Sequence, residues 1–242
     1  MHTTLRALRS ICLLAFTATL VACASAPKVA FKPELKQSIK KVALVETPEP
    51  RQYFMNPGQA PGGAALYMFG ALGGAILGSI EANRFETAST RFNAAVAPLK
   101  PELSATMLSR LEKSLAAKGY EIVRIPTIPT AADGKEPDFS RIEGTFDAIL
   151  ITTLGGGYSV ESGAAVPNVR VVATLHSRSG ADKLFADGYI YGTQKVGQFV
   201  EVLPDPRFTI KSIDAVYDNL GIAVEGLRTG ADKLAERVAA DF

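Results

Sequence analysis

The alternation of apolar and polar positions along the chain predicts about five β-strands. Lys41–Val45 is a short apolar run typical of a buried strand, and Asp147–Thr153 is apolar enough to lie centrally in a sheet. The other predicted strands are Tyr120–Ile125, Val169–Ser177 and Lys183–Tyr191. The segment Arg178–Asp182 separates the last two, and its length and its Ser-Gly pair are typical of a β-hairpin turn.

Apolar residues at three- and four-residue intervals predict helices in two further regions. The first helix opens at Pro101, since proline is tolerated at the first helical position, and it stops at Gly119. Its apolar stripe consists of Leu103, Met107, Leu108, Leu111 and Leu115. The second region extends from Ile210 to Ala240, and we expect Gly226 and Gly230 to divide it into two helices.

This order of elements predicts an α/β fold (α+β), in which a mixed β-sheet of about five strands carries helices packed on it. We expect the helical stripe to face the sheet and to be buried there together with strand residues. The residues predicted to lie between helix and sheet are Val42, Leu44, Leu108, Leu111, Leu115, Ile149 and Ile151.

A glycine-rich apolar segment, residues 60–80, lies inside a predicted insertion at residues 47–100. Its 21 residues include six glycines, of which Gly70, Gly74 and Gly78 recur at every fourth position. On a helix these three would lie in one row and would admit a second helix to backbone contact. A fully helical segment would reach about 31 Å, enough to cross a hydrocarbon core of roughly 30 Å.

Three interpretations of this segment stay open. It packs as a buried helix or loop on its own domain, it forms a membrane-inserted or self-associating helix, or it is a disordered loop. Insertion is marginal, because the leucine, isoleucine and phenylalanine side chains contribute only roughly 2–4 kcal/mol against the glycines. Gly70, Gly74 and Gly78 are therefore candidate membrane or helix-packing residues.

The amino-terminal residues combine a basic head, a short apolar stretch and small residues ahead of a cysteine. Arg6 and Arg9 precede the apolar run Ile11–Phe16, an arrangement typical of a secretory signal peptide and too short for an ordinary spanning helix. The four residues that end at Cys23, Leu-Val-Ala-Cys, resemble the bacterial lipobox. The resemblance implies cleavage before Cys23 and attachment there of a diacylglycerol and an N-acyl chain. No other cofactor is expected.

This interpretation divides the chain into three parts. Residues 1–22 form the signal peptide, residues 23–38 a lipidated tether, and residues 39–242 a single periplasmic α/β domain with its insertion. The other cysteine, Cys12, lies in the discarded segment. An aspartate directly after the lipidated cysteine typically retains a lipoprotein in the inner membrane. Because Ala24 stands there, the resemblance implies a lipid anchor in the outer membrane, on its periplasmic side.

The charge of the mature chain limits the partners that it can attract. Cleavage removes Arg6 and Arg9 from 26 basic residues and none of the 24 acidic residues, which leaves no net charge. A neutral chain has no net positive charge that would attract nucleic acid or an anionic bilayer surface. The expected attachment to the membrane is through the lipid alone.

No arrangement of residues in the sequence indicates catalysis or a metal site. His176 is the only histidine of the mature chain, and we expect an exposed or hydrogen-bonded strand residue. Without a second histidine or a cysteine, no nitrogen- or sulfur-rich metal site can form, and no serine elbow supports a triad. The run Gly155–Gly157 lacks the Gly-Lys-Ser/Thr of a phosphate loop and predicts a bend or bulge in a strand.

Several parts of the sequence carry a family resemblance. The strand Lys41–Val45, the helix-glycine-strand unit that ends at Lys118–Val123, and the strand at Phe146–Ile151 resemble one known type of domain. It is shared by the amino-terminal part of the TolB protein and the curli-secretion-channel lipoproteins, and the hairpin Val169–Tyr191 fits its later strands. The resemblance implies a role in envelope assembly or transport, without catalytic residues. The insertion departs from this pattern, and the sequence shows no amphipathic hairpin pair of a curli-type channel.

Three function hypotheses follow. The first is a non-catalytic, membrane-anchored lipoprotein that scaffolds or regulates an envelope assembly or transport system through protein partners. The second is a homo-oligomer or pore component built through the glycine row in a membrane. The third is a hydrolase that uses carboxylates alone.

Overall fold

The computed structural model describes residues 28–58, 70–131, 137–195 and 197–242, with the backbone alone at residues 70–77. Its strands are β1 (Lys41–Val45), β2 (Phe54–Asn56), β3 (Glu121–Ile125), β4 (Ala148–Glu161), β5 (Ala164–Ser177), β6 (Lys183–Tyr191) and β7 (Val200–Val202). Its helices are α1 (Leu35–Ser38), α2 (Gly70–Val96), α3 (Leu103–Ala117), α4 (Ile213–Asp218) and α5 (Leu220–Ala240).

The described strands form one mixed sheet of seven strands in the order β3-β1-β4-β5-β6-β7. β4, β5 and β6 are antiparallel neighbours, whereas β1 pairs in parallel with both β3 and β4. β2 pairs in parallel with the last part of β4. The predicted α/β class with a mixed sheet and packed helices is therefore confirmed. The prediction missed β2 and β7 because three-residue strands are too short to show a period.

β4 and β5 are each 14 residues long, well beyond the predicted Asp147–Thr153 and Val169–Ser177. The expected bend or bulge at Gly155–Gly157 is wrong, because the pairing with β5 continues through all three glycines without a shift of register. The glycines serve close packing instead. A Cβ atom at Gly157 would collide with the backbone carbonyl oxygen of Phe54 in β2.

The helices pack on one face of the sheet and enclose the main core. Leu108, Leu111 and Leu115 of α3 are buried there, as are Val42 and Leu44 of β1, and these five predictions are confirmed. The helix itself begins at Leu103 and not at Pro101. Pro101 instead lies between Lys100 and Glu102, two residues with positive φ.

Ile149 and Ile151 do not lie between helix and sheet. Side chains alternate across a strand, so in β4 the odd-numbered residues from Ile149 to Thr153 face away from the helices. Ile149 belongs to a second cluster with Ala43, Val45, Ile125, Ile142 and Phe146, against which Ile151 is partly buried. The prediction assigned both isoleucines to the wrong face, because a strand that is apolar on both sides shows no alternation.

Gly226 and Gly230 do not divide the carboxyl-terminal helix. The break falls at Asn219, between α4 and α5, and both glycines lie inside the continuous helix α5. A Cβ atom at Gly226 would lie 2.7 Å from the hydroxyl of Tyr158, and one at Gly230 would lie 2.7 Å from the ring of Tyr191. These glycines bring the helix axis close to the sheet, which the larger tyrosine side chains require.

Residues 28–38 of the predicted tether are docked on the domain. Val29 forms an antiparallel bridge with Ala186 of β6, and Lys28 forms an ion pair of 2.7 Å with Asp187. The ring of Phe31 stacks on Phe242, with 5.1 Å between centroids. Residues 28–38 therefore belong to the folded domain and not to a free tether, because the bridge, the ion pair and the ring contact join them to β6 and to Phe242.

The predicted insertion at residues 47–100 contributes to the same core. Phe92 and Val96 of α2 are fully buried, and Phe92 makes an edge contact with Tyr158 of β4. The hydroxyl of Ser89 accepts a hydrogen bond of 3.0 Å from the backbone N–H of Met55 in β2. The described part of the insertion is thus an integral layer of the domain.

Candidate functional site

The candidate lipid-attachment residue, Cys23, lies outside the described residues, whereas Lys28, Val29 and Phe31 contact the domain. Lys28 stands five positions after Cys23 in the sequence. At a maximum of roughly 3.5 Å per residue, that stretch spans about 17 Å. A membrane anchor at Cys23 would consequently hold the domain within a short distance of the bilayer.

The three glycines of the predicted row all lie within helix α2. Gly78 is exposed, and among the described residues no atom beyond its own stretch of helix lies within 4 Å of a Cβ atom built on it. The interpretation in which the row is buried against its own domain is therefore wrong at Gly78. Gly70 and Gly74 fall where the backbone alone is described. Among the described residues, no helix is both long and apolar enough to span a membrane.

Apolar side chains next to Gly78 are also partly exposed. Ile80 is 40% exposed and Phe85 is 41% exposed, and Phe85 stacks on Phe54 at 6.3 Å between ring centroids. Apolar surface of this kind on a helix is a potential contact area for another protein molecule. The open side of Gly78 and these two residues form what we call the α2 surface.

The α2 surface lies at the opposite end of the sheet from the docked amino-terminal segment. Phe85 shares a cavity with Val160, near the end of β4. The bridge between Val29 and Ala186 lies on β6, two strands away from β4. Through the pairing of β6 with β5 and of β5 with β4, it is level with Ile151, near the beginning of β4. These two positions on β4 are nine residues apart, which corresponds to about 30 Å along a strand.

Glu49 caps helix α3 from a distant part of the chain. Its Oε1 accepts a hydrogen bond of 2.8 Å from the backbone N–H of Leu103, and its Oε2 accepts one of 2.9 Å from the backbone N–H of Ser104. The Tyr53 hydroxyl also donates to Oε1. A carboxylate at this position satisfies free N–H groups and complements the positive end of the helix dipole. Burial and the bond with Glu49 raise the pKa of Tyr53 far above its usual value.

The residues just before α3 adopt a strained backbone. Lys100 has a φ of 46° and Glu102 has a φ of 53°, values that residues with a side chain rarely adopt. Arg228 of α5 donates hydrogen bonds of 2.7 Å to the carbonyl oxygens of both Lys100 and Pro101. These bonds hold the turn in place and offset its conformational cost.

A cavity of about 580 Å³ opens beside this turn. Its lining includes Glu49, Arg51, Tyr53, Asn93, Lys100 and Ser104. Both oxygens of Glu49 already accept hydrogen bonds from the protein, so this carboxylate is built as a cap and not as an acid or base poised for a substrate. The sequence analysis missed Glu49 because the helix that it caps begins 54 residues later.

We expect Glu49→Gln to lower the free energy of unfolding by about 1–2 kcal/mol. The amide retains one acceptor but turns an NH₂ group toward a backbone N–H of α3, and it removes the charge that complements the helix dipole. Glu102→Gln is the matched control, since Glu102 is exposed one residue before the same helix. Urea unfolding of both variants should give a change within about 0.5 kcal/mol for the control. Equal losses in the two variants would contradict the capping role.

His176 lies on the face of the sheet opposite the helices and packs on Phe139, with 5.1 Å between ring centroids. Its Nδ1 is buried and has no partner with normal hydrogen-bond geometry among the described residues. Burial lowers the pKa of His176 and Lys183 lowers it further, against a backbone hydrogen bond with Gly180 that raises it. The ring is therefore a neutral packing group at neutral pH. Within the described ranges, no three histidine, cysteine, aspartate or glutamate residues gather as metal ligands would.

Comparison with known proteins finds a structural similarity but does not assign the chain to a protein family. No protein-family model matches the chain, and no curated protein matches it. Among solved structures, it is similar to a homologue of the neuraminyllactose-binding hemagglutinin from Helicobacter pylori. The two chains share 12% sequence identity over 90% of each, with a TM-score of 0.34.

Proposed function

We propose that this protein is a non-catalytic lipoprotein of the outer membrane. It is anchored through Cys23 on the periplasmic side, and it scaffolds or regulates an envelope assembly through protein contacts. The observation that carries this proposal is the lipobox-like sequence ending five residues before the docked Lys28. Because residues that contact the domain follow Cys23 so closely in the sequence, an anchor there would keep the domain at the membrane surface.

The arrangement of the domain supports a role in binding. Its first described residues contact the sheet through Val29 and the last residue, Phe242, through Phe31. The α2 surface, with Gly78 open and Ile80 and Phe85 partly exposed, lies about 30 Å farther along the strands. An anchored domain of this shape presents an apolar helix surface at a distance from its attachment point.

The anchoring step is tested on the wild-type protein. Cells grown with a labelled fatty acid should incorporate the label into this protein, and the amino-terminal peptide should carry the mass of an acylated Cys23. Separation of inner and outer membranes should place it in the outer fraction. Absence of the label would refute the lipoprotein proposal. Crosslinking in intact envelopes, followed by mass spectrometry, then identifies the partners.

A second candidate function is a homo-oligomer formed through the α2 surface. The observation that favours it is the open space around Gly78, into which a second helix can pack at backbone distance. Glycine costs about 1 kcal/mol relative to alanine in a water-exposed helix, and a contact with another helix would offset that cost.

We expect Gly78→Leu to abolish such an oligomer and to leave the fold intact, because no described residue beyond the same stretch of helix lies within 4 Å of the new Cβ atom. Gly221→Leu is the matched control, since Gly221 is also exposed in a helix and its Cβ position is equally free of described neighbours. Light scattering and thermal unfolding of the membrane-extracted protein measure both properties. A wild-type protein that is monomeric in detergent and in vesicles would exclude the oligomer.

A further inference from the structure

A cluster of lysines lies at the end of the domain from which the chain leads back to Cys23. Lys36, Lys40 and Lys118 are all exposed, and they line one cavity of about 300 Å³. The cavity walls also include the apolar side chains of Tyr120 and Phe242. Three cations around a partly apolar recess form a site that is suited to an anion attached to an apolar body.

The lysine cavity is close to the proposed anchor. The ring of Phe242, which lines the cavity, stacks on Phe31, and Phe31 lies three residues after the docked Lys28. Only about 17 Å of extended chain separates Lys28 from Cys23. Acyl chains on Cys23 would be inserted in the bilayer, so this end of the domain would lie at the level of the lipid headgroups.

Two aspartates near the cavity, Asp241 and Asp147, are engaged by other residues. Asp241 accepts a hydrogen bond of 2.8 Å from Tyr189 and forms an ion pair of 3.0 Å with Arg237. Asp147 accepts hydrogen bonds of 2.8 Å from the backbone N–H groups of both Lys40 and Lys41, and these bonds lower its pKa. Neither carboxylate neutralises the lysine cluster by a direct ion pair.

The lysine side chains retain capacity for an anion. Lys118 donates a hydrogen bond of 3.0 Å to the carbonyl oxygen of Ala240, and Lys40 donates one of 3.2 Å to that of Lys36. Each ammonium group has three protons, so both keep donors for a further partner. Burial lowers the pKa of Lys118, and the neighbouring charge of Lys36 lowers it further, against the effect of Asp241. An anion placed between the lysines would remove this repulsion.

We propose that the lysine cavity binds anionic phospholipid headgroups of the membrane that carries the lipid anchor, so that the domain rests on the bilayer with this end. The inference builds on the proposed anchoring at Cys23. The zero net charge of the mature chain did not predict binding to an anionic membrane surface. A net charge is summed over the whole chain, however, and does not show that Lys36, Lys40 and Lys118 line one cavity. This orientation directs the α2 surface away from the anchoring membrane.

The test measures acylation of individual lysines by an amine-reactive reagent on the full mature protein in vesicles. One set of vesicles contains phosphatidylcholine alone, and the other contains phosphatidylglycerol in addition. We expect Lys36, Lys40 and Lys118 to react about fivefold more slowly on the anionic vesicles. A factor of about five is what the attraction between one lysine and an anionic membrane surface contributes to binding. The double variant Lys36→Gln/Lys118→Gln should lose this protection at the remaining Lys40.

The control variant Lys195→Gln/Lys211→Gln removes two exposed lysines at the other end of the domain. Thr193 is hydrogen-bonded to Glu161 at the end of β4, and Ile210 bridges Ala165 at the start of β5, which places both control lysines there. Lys40 should remain protected in this variant. Thermal unfolding of both variants checks that the fold is kept.

Three results would overturn the proposal. They are equal reaction rates on both kinds of vesicle, protection of Lys195 and Lys211 in place of the cluster, and equal protection by inorganic phosphate on phosphatidylcholine vesicles. The last result would indicate a site for free anions. The mass of the amino-terminal peptide in the same digest reports acylation of Cys23 separately. Failure of the anchor and failure of the headgroup contact are thereby distinguished.

Discussion

Cys23→Ser should abolish lipid attachment and with it the membrane anchoring that the acyl chains provide. The thiol is the group that would carry the diacylglycerol, and a serine hydroxyl does not replace it in a lipobox. Two or three acyl chains give stable anchoring, at roughly 0.8 kcal/mol for each buried CH₂ group. The variant would lose the free energy of membrane binding that these chains supply. Membrane fractionation should then find the chain in the soluble periplasm, or held by an uncut signal peptide.

Cys12→Ser is the matched control for this change, because Cys12 lies within the segment that cleavage would discard. It should leave acylation and fractionation as in the wild type. A Cys23→Ser protein that still incorporates labelled fatty acid would contradict the assignment of Cys23. So would a loss of label in Cys12→Ser with Cys23 intact.

Leu111→Ala should lower the free energy of unfolding by about 2–5 kcal/mol. Leu111 has no exposed surface and lies in the main core between α3 and the sheet. Removing three carbons from a packed site forfeits their burial and leaves a cavity that neighbouring side chains fill only in part. For a domain of marginal stability this is a large share of the total.

Leu203→Ala is the control for Leu111→Ala, because the same side-chain truncation is made at a residue that is 73% exposed. Its effect should stay within about 0.5 kcal/mol. Urea unfolding measures both variants under the same conditions. A loss below about 0.5 kcal/mol in Leu111→Ala would mean that the α3 stripe is not a packed core surface.

The elements that sequence reasoning located correctly are those with a local signal. β6 begins and ends where the pattern predicted it, and the turn between β5 and β6 has Gly180 at a φ of 75°, as its Ser-Gly pair indicates. The α3 stripe follows the helical period over several turns. In each case the signal and the structure that it predicts lie within one stretch of chain, so no tertiary knowledge is needed.

Errors arose where two elements approach each other. Gly226 and Gly230 suggest a broken helix when the chain is considered alone, but they are packing positions against Tyr158 and Tyr191. The face to which Ile149 and Ile151 belong depends on which elements cover each side of the sheet. Neither feature is present in the residues nearby, since each depends on a partner that is distant in the sequence.

The candidate sites divide in the same way. Cys23 and the glycine row of Gly70, Gly74 and Gly78 are contiguous or regularly spaced motifs, so the sequence by itself determined them as candidates. The capping role of Glu49 required the tertiary structure, because the fold brings Glu49 to the first N–H groups of α3.

The fold class, most of the helix and strand positions, and the motif that predicts the anchor could be predicted from the amino-acid sequence. All of these depend on short-range periodicity or on adjacent residues. The folded structure was needed to show that residues 28–38 belong to the domain and that Gly78 is exposed. It also decided that Lys36, Lys40 and Lys118 share one cavity. The physical reason is that burial and charge clustering arise from contacts between distant segments, which chain closure brings together and which no local pattern encodes.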